Sequence, residues 1–289
     1  MHFKDAKGIL SATNGMNNYR GCSHGCIYCD SRSKCYSMDH AFEDIEVKCN
    51  AAELLEEALR RKRKKCMIAT GSMSDPYIHL EDKIQSTRKC LELIEQYGFG
   101  LAIQTKSDRI LRDLDVLRKI NENAKCVVQM TLTTLDEELC KILEPHVSTT
   151  KQRFEVLKIM QKNQIPTVVW LDPLLPFIND TEENLRGILK YCHEAGVYGI
   201  IFFGIGLTLR EGNREYFYQK LDEHFPGLKD KYIKKYGDSY FVMSEKNQEL
   251  SRIFYDECAK WNIVCDNDKL FEYMHTLESK PKVVQIGMF

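Results

Sequence analysis

Cys22, Cys26 and Cys29 stand at i, i+4 and i+7 in the run Tyr19-Arg-Gly-Cys-Ser-His-Gly-Cys-Ile-Tyr-Cys-Asp30. Three thiolates so close in one short loop can ligate three irons of a cubane cluster, because soft sulfur ligands suit iron–sulfur clusters. A cluster that only carries electrons takes a fourth cysteine. Three ligands leave one iron open, much as a catalytic zinc keeps a position for substrate, and an open iron invites chemistry. The competing readings of the same residues are a zinc knuckle or a scatter of buried thiols. Zinc sites take a fourth Cys or His at finger-like spacing, and His24, inside the loop, is too close to complete a tetrahedron comfortably.

The elements that must hold this loop follow it. Short β-branched runs alternate with amphipathic helices, the pattern of parallel βα units. Lys65–Thr70, Leu101–Thr105, Cys126–Leu132, Thr167–Leu171 and Val197–Phe203 read as strands. Asn50 with Glu53 predicts an N-capped helix carrying Leu54, Leu55, Ala58 and Leu59 on one stripe. Ile84, Leu91, Ile94 and Tyr97 form a second helix face stopped by Gly98. Ile110–Ile120, a segment through Phe154–Met160, and Thr181–His193 read as further helices. This amounts to about six βα repeats between residues 17 and 204. From Gly206 the pattern changes to charged, aromatic helices over Asn213–Phe225, Leu228–Tyr236 and Glu245–Trp261. The expected division is 1–205 for the core and 206–289 for a helical extension packed on it, covering its open side.

At 289 residues the chain suits one barrel-type domain or two small ones. Its 43% hydrophobic and 29% charged residues describe an ordinary globular protein. A net charge of −1 gives no general pull toward a phosphate backbone or an anionic membrane. The basic run Arg60–Lys65 reads as the end of a helix, where cations complement the macrodipole. Twelve cysteines without a paired framework, an N-terminus without an apolar signal core, and no membrane-length apolar stretch predict a cytoplasmic, reducing setting.

The flanks carry a resemblance. The spacing Cys22-x3-Cys26-x2-Cys29, with Tyr28 before the last cysteine, resembles the signature of the radical S-adenosylmethionine (SAM) superfamily. Residues Tyr19–Arg32, Val47–Ala51 and Gly71–Tyr77, with Asp172-Pro-Leu-Leu-Pro-Phe-Ile-Asn-Asp180, are similar to its spore photoproduct lyase-like family, whose members are often labelled DNA repair photolyases. The resemblance implies an α/β fold, a partial (β/α)6 TIM-type barrel with chemistry at the C-terminal ends of its strands. It implies a [4Fe-4S] cluster on Cys22, Cys26 and Cys29, with SAM chelating the open iron. One electron from a flavodoxin- or ferredoxin-type reductant then cleaves SAM to methionine and a 5′-deoxyadenosyl radical that abstracts a hydrogen atom from a substrate.

Matched positions imply further roles. Tyr28 packs near the adenine, Ser74 contacts the SAM amino group, and Lys106 pairs with the SAM carboxylate, a charge-assisted bond at the correct barrel edge. Gln129, Thr131 and Thr133 end the next strand and are candidates for bonds to the ribose or carboxylate, Thr131 being the one we select. The chain also departs from the pattern. Ser72 stands where the lyase keeps its hydrogen-donating cysteine, and Cys29-Asp30-Ser31-Arg32 replaces the usual Cys-Tyr-Ala-Arg. A serine O–H bond is too strong to replace a thiol as hydrogen donor, so efficient reversal of the spore lesion is not expected. Cys35, six residues past Cys29, is the candidate donor or substrate anchor. The substrate is not legible. The alternatives are a lyase or transferase acting on a nucleic-acid lesion or tRNA, which the net charge does not support, and a non-enzymatic electron-transfer or sensor protein.

Overall fold

The computed structural model describes residues 1–277. Six parallel strands make one sheet whose spatial order is also chain order: Gly15–Met16, Met67–Thr70, Gly100–Thr105, Cys126–Thr131, Thr167–Trp170 and Gly199–Ile201. A parallel neighbour can be reached only by a crossover, and the crossovers carry helices Ala51–Arg61, Ser86–Gln96, Leu114–Asn123, Thr150–Lys162 and Glu182–Glu194 in turn. The first and sixth strands do not pair with each other, so the α/β barrel is open.

Alternation along the strands divides the side chains between two faces. Ile68, Leu101, Ile103, Cys126, Val128, Met130, Val169 and Ile200 point outward and are buried beneath the crossover helices. Met67, Ala102, Val127, Val168 and Ile201 point inward, where they pack against Leu270 and Met274 of the C-terminal helix Asn267–His275. Each of these side chains larger than alanine, taken from water, contributes about 1.5–3 kcal/mol. The helix therefore fills the lower half of the concave face. Its approach requires Gly199, where a Cβ would stand 2.4 Å from Leu270 Cδ2 and 2.7 Å from the Val264 carbonyl oxygen. The next positions on the inward rows, Gln104 and Trp170, and then Lys106, Thr131 and Asp172 at the strand ends, are left to form the upper cavity.

Two small sheets flank the barrel mouth. Glu46–Lys48 pairs in parallel with His2–Lys4 and antiparallel with Tyr19–Arg20, directly before the cysteine loop. Gly206–Thr208 pairs antiparallel with Phe241–Met243. Helices Asn213–His224 and Leu228–Tyr236 lie in the chain between these two strands, and Asn247–Lys260 packs beside the last crossover helix. Among the described residues no helix is long and apolar enough to cross a membrane.

Several local expectations are corrected. Asn50 occupies the N-cap position but makes no capping bond. Its side chain instead accepts from Ala6 N at 2.8 Å and donates to Ala6 O at 3.0 Å, pinning the N-terminal segment. The helix of the basic run ends at Arg61, so Lys62–Lys65 lie beyond it: Lys62 donates to Asn14 Oδ1 and Lys65 sits 4.4 Å from the centre of the Phe99 ring. The expected helix over Ile110–Ile120 begins as a tighter 3-10 turn, Asp108–Asp113, and becomes α-helical from Leu114. The hairpin Gly206–Thr208 with Phe241–Met243 was not expected, because its partners are three residues each and far apart in the chain.

Candidate functional site

The cysteine loop is held at both ends by backbone geometry. Gly21 has φ +84°, and a Cβ there would stand 2.4 Å from the Phe42 carbonyl oxygen, which accepts from Cys22 N at 3.3 Å. Within the loop Cys29 N donates to Cys26 O at 3.3 Å. The segment after helix Glu137–Leu143 straps the outside: Ile27 N donates to Leu143 O at 3.0 Å, and His146 N to His24 O at 3.1 Å. The thiols of Cys22, Cys26 and Cys29 consequently face one small cavity, shared with Gly71–Asp75, Gln104, Lys106 and Thr131. All three are free of disulfides. Burial pushes Cys22 up to about 12, with Asp75 and Cys29 adding to the rise, and pushes Cys26 well above the usual thiol range. Three soft donors converging from one loop on a common cavity fit a thiolate-bound cluster, and binding a metal there must displace their protons.

Two buried carboxylates clamp this loop. Asp75 accepts from Tyr77 N at 2.8 Å, Thr105 Oγ1 at 2.7 Å and Lys106 N at 2.8 Å, and lies 3.4 Å from His24 Nδ1. It thus ties the loop after the second strand to the end of the third and to the cysteine loop. Gly71 permits the close approach, since a Cβ there would stand 2.0 Å from the Gln104 carbonyl oxygen. On the other side Glu144, 1% exposed, accepts from the Tyr28 hydroxyl and from Arg153 Nη2. Arg153, 0% exposed, also donates to Thr131 O at 2.7 Å, at the end of the fourth strand. Burial works against the Glu144 anion, but Arg153 and Lys106 hold its carboxyl below the usual range.

The candidates expected from sequence fall out as follows. Lys106 is half-buried at the strand end, with Nζ 5.8 Å from the centre of the Tyr28 ring. Burial acts to lower its pKa, yet the neighbouring Cys26, Glu144, Cys29 and Asp75 raise it overall. Tyr28 lines the larger cavity with its hydroxyl committed to Glu144. Ser74 lines the cysteine cavity, and its hydroxyl donates to Gly21 O at 2.6 Å. Thr131 lines both cavities, and its buried Oγ1 has no partner among the described residues. Gln129 is turned aside, accepting from Trp170 Nε1 at 2.8 Å. Thr133 is buried with its hydroxyl oxygen unpartnered among the described residues, and it lines neither cavity. Cys35 is not brought to the cavity the others share: it is exposed on a short 3-10 turn, where Arg210 Nη1 approaches its sulfur at 3.4 Å.

The larger cavity, about 520 Å³, runs from the cysteines past Ser72 and Lys106 to a far wall of Trp170, Asp172, Phe203 and Phe241. Asp30, the acidic departure beside Cys29, forms a strut: it accepts from the Tyr36 hydroxyl at 2.8 Å and lies 3.3 Å from Arg210 Nη1, joining the loop to the C-terminal part of the chain. Sequence reasoning missed Asp75, Glu144, Arg153 and Asp172. Asp172 had a usable signal, because it continues the inward row Val168, Trp170. Glu144 and Arg153 had none, since their partners are distant in the chain.

A family model described as the radical SAM superfamily matches residues 16–192. An uncharacterized protein of Mycobacterium tuberculosis (strain ATCC 25618 / H37Rv) is 27% identical over 258 residues, 87% of this chain and 75% of its own. One of Methanocaldococcus jannaschii is 31% identical over 169 residues, 58% of this chain and 62% of its own. Spore photoproduct lyase complexed with dinucleoside spore photoproduct aligns with a TM-score of 0.60 at 15% identity, over 84% of this chain and 72% of that one. A cysteine-to-serine variant of the same enzyme gives 0.61 at 16%, over 90% and 77%. At these identities the likeness to the solved structures is one of fold.

Asp172 generates a stability prediction. Burial raises its carboxyl from 3.8 to about 6, although Lys106 pulls it down. Well below pH 4 the group is protonated folded and unfolded alike, and it costs nothing. Between about pH 4 and 6 the unfolded chain ionises it while the native state keeps the proton, so stability falls across that window and stays lower above it. Asp172→Asn should therefore raise stability by about 1–2 kcal/mol at pH 7.5, allowing for water at the rim, and by nothing measurable at about pH 3. Denaturant unfolding at the two pH values checks this; an unchanged or lower stability at pH 7.5 contradicts it.

Proposed function

Because this chain belongs to the radical SAM superfamily, we propose that it is a radical SAM enzyme whose [4Fe-4S] cluster is held by Cys22, Cys26 and Cys29 and whose SAM lies in the cavity between those cysteines and Lys106. The convergence of exactly three loop thiols on one cavity with a lysine at a strand end carries this reading. A cluster held there by these three cysteines would supply the single electron that splits SAM into methionine and a 5′-deoxyadenosyl radical able to take a hydrogen atom from substrate. A low-potential electron carrier of the flavodoxin or ferredoxin type supplies that electron.

The chain's own residues bind and orient. The Lys106 ammonium, kept charged by its anionic neighbours, pairs with the SAM carboxylate. Thr131 Oγ1, buried and unpartnered among the described residues, offers a hydrogen bond to the ribose or carboxylate. The Ser74 hydroxyl donates to Gly21, which leaves its oxygen lone pairs for the SAM amino group while the same bond fixes the loop. Tyr28, immobilised by Glu144, supplies a fixed apolar surface near the adenine. The helix plug beneath the cavity closes its floor to water.

Lesion reversal on DNA is not favoured. Ser72 lines the cavity where the resemblance implies a hydrogen-donating thiol, and Cys35 stands away from it. Lys106 is the one cation among the described lining residues, against the carboxylates of Asp30 and Asp172, a poor match for a phosphodiester.

Two outcomes test this. After anaerobic reconstitution the wild type should carry four irons per chain by the cluster's stoichiometry, and reduction with dithionite should yield 5′-deoxyadenosine from SAM. The variant with Cys22, Cys26 and Cys29 all replaced by Ala should lose both, whereas four irons retained in it would refute the ligand assignment. Separately, Lys106→Ala should weaken SAM binding by about 1.5–3 kcal/mol, the scale of a hydrogen bond to a charged group. Equilibrium dialysis of the reconstituted variant measures it, and an unchanged affinity would remove Lys106 from the carboxylate.

A further inference from the structure

The far wall of the larger cavity has a chemistry that the proposed SAM site does not use. Trp170 and Phe203 lie 6.2 Å apart between ring centres, and Phe271 of the C-terminal helix packs beneath both, at 5.9 Å and 6.4 Å. The rings are thus held in place from behind. Their open faces remain available: Phe203 is 49% exposed and Phe241, across the cavity on the hairpin strand, is 38% exposed. Large aromatic side chains left open at a cavity mouth and rigidly backed are platforms for a flat apolar group.

Asp172 lines the same cavity as these rings, and its carboxylate makes no hydrogen bond to any described residue. The charge that acts on it is Lys106, on the near wall of the same cavity. On the reading above, Lys106 is neutralised by the SAM carboxylate, which leaves Asp172 as an anion without a counter-charge in a partly dry site. A half-buried carboxylate in that position is matched by a donor on what enters the cavity. The other lining carboxylate, Asp30, is already satisfied by Tyr36 and Arg210.

We propose that the far half of the cavity is the substrate subsite, and that it takes a molecule or side chain bearing a flat ring and a cationic or N–H donor group, the ring lying against Trp170, Phe203 and Phe241 and the donor on Asp172. This rests on the SAM reading above, and it separates the two halves of the cavity: thiols and lysine for SAM, aromatics and carboxylate for substrate. It disfavours polyanionic substrates.

The test uses the full chain, cluster-loaded and saturated with SAM under anaerobic conditions, and titration calorimetry at pH 8 with four probes: 2-phenylethylamine, 3-phenylpropionate, butylamine and thymidylyl-(3′→5′)-thymidine. Iron content and SAM binding are measured first on the same preparation, so a failure of the cofactor reading shows itself before any probe is added. The expected order places 2-phenylethylamine at least tenfold tighter than each of the others. Asp172→Asn should abolish the preference for the amine over the propionate while leaving SAM affinity within twofold. Phe241→Ala, at an exposed position, should weaken both phenyl-bearing probes and leave butylamine unchanged. Propionate or dinucleotide binding as tightly as the amine would overturn the proposal. So would an amine preference that survives Asp172→Asn, or a tenfold loss of SAM affinity in that variant, which would assign Asp172 to SAM instead.

Discussion

The Asp75 carboxylate accepts three hydrogen bonds, from Tyr77 N, Thr105 Oγ1 and Lys106 N, and sits beside His24. Three stretches of chain that are remote in sequence meet at this one carboxylate: the turn at 75–77, the strand end at 105–106 and the cysteine loop at His24. The first three bonds fix the loop after the second strand against the end of the third, and so determine where Lys106 leaves the sheet. The contact with His24 holds the cysteine loop to the same point. Glu144 does the corresponding work from the opposite side through Tyr28 and Arg153. A flexible loop carrying three thiols would place them poorly for a rigid cluster. Anchoring it through two buried, multiply bonded carboxylates removes that freedom, and truncating one member of such a buried ionic network leaves its partner uncompensated.

The barrel serves this arrangement by dividing its concave face. Below, aliphatic side chains pack on the C-terminal helix and exclude water. Above, the same inward rows continue as Gln104 and Lys106, Gln129 and Thr131, Trp170 and Asp172. Two positions along a strand separate packing from chemistry, because the side-chain period is two. Phe271 of the plugging helix stands at the boundary, touching Trp170 and Phe203, so the element that completes the core also sets the cavity floor.

The parts legible in the sequence were those with a short-range signature. The strand ends came within one or two residues for Leu101–Thr105 and Thr167–Leu171, because apolar β-branched runs are bounded by polar turns. The cysteine spacing pointed to the loop, and the resemblance carried Lys106 to a strand end at the cavity, where it stands. What failed was governed by distant partners. Asn50 has the chemistry of a cap, but the backbone of Ala6, just past the N-terminal strand, competes for its side chain. The hairpin closing the cavity joins Gly206–Thr208 to Phe241–Met243 across two helices, with no local alternation long enough to see. Arg153 reads as an ordinary surface arginine in an amphipathic helix, yet it is fully buried on Glu144. Cys35 looked close to the site by chain distance, but the turn carrying it faces outward to Arg210.

The central claim is that the three loop thiols leave an open iron to which SAM binds directly, with its carboxylate end held by Lys106. Electron–nuclear double resonance on the reduced, reconstituted enzyme, with SAM labelled with 15N at the amino group and 17O at the carboxylate, tests this most directly. The account predicts hyperfine coupling of both labels to the cluster, with the 17O coupling weakened or lost in Lys106→Ala. Spectra in which neither label couples to the cluster, although SAM is bound, would contradict it.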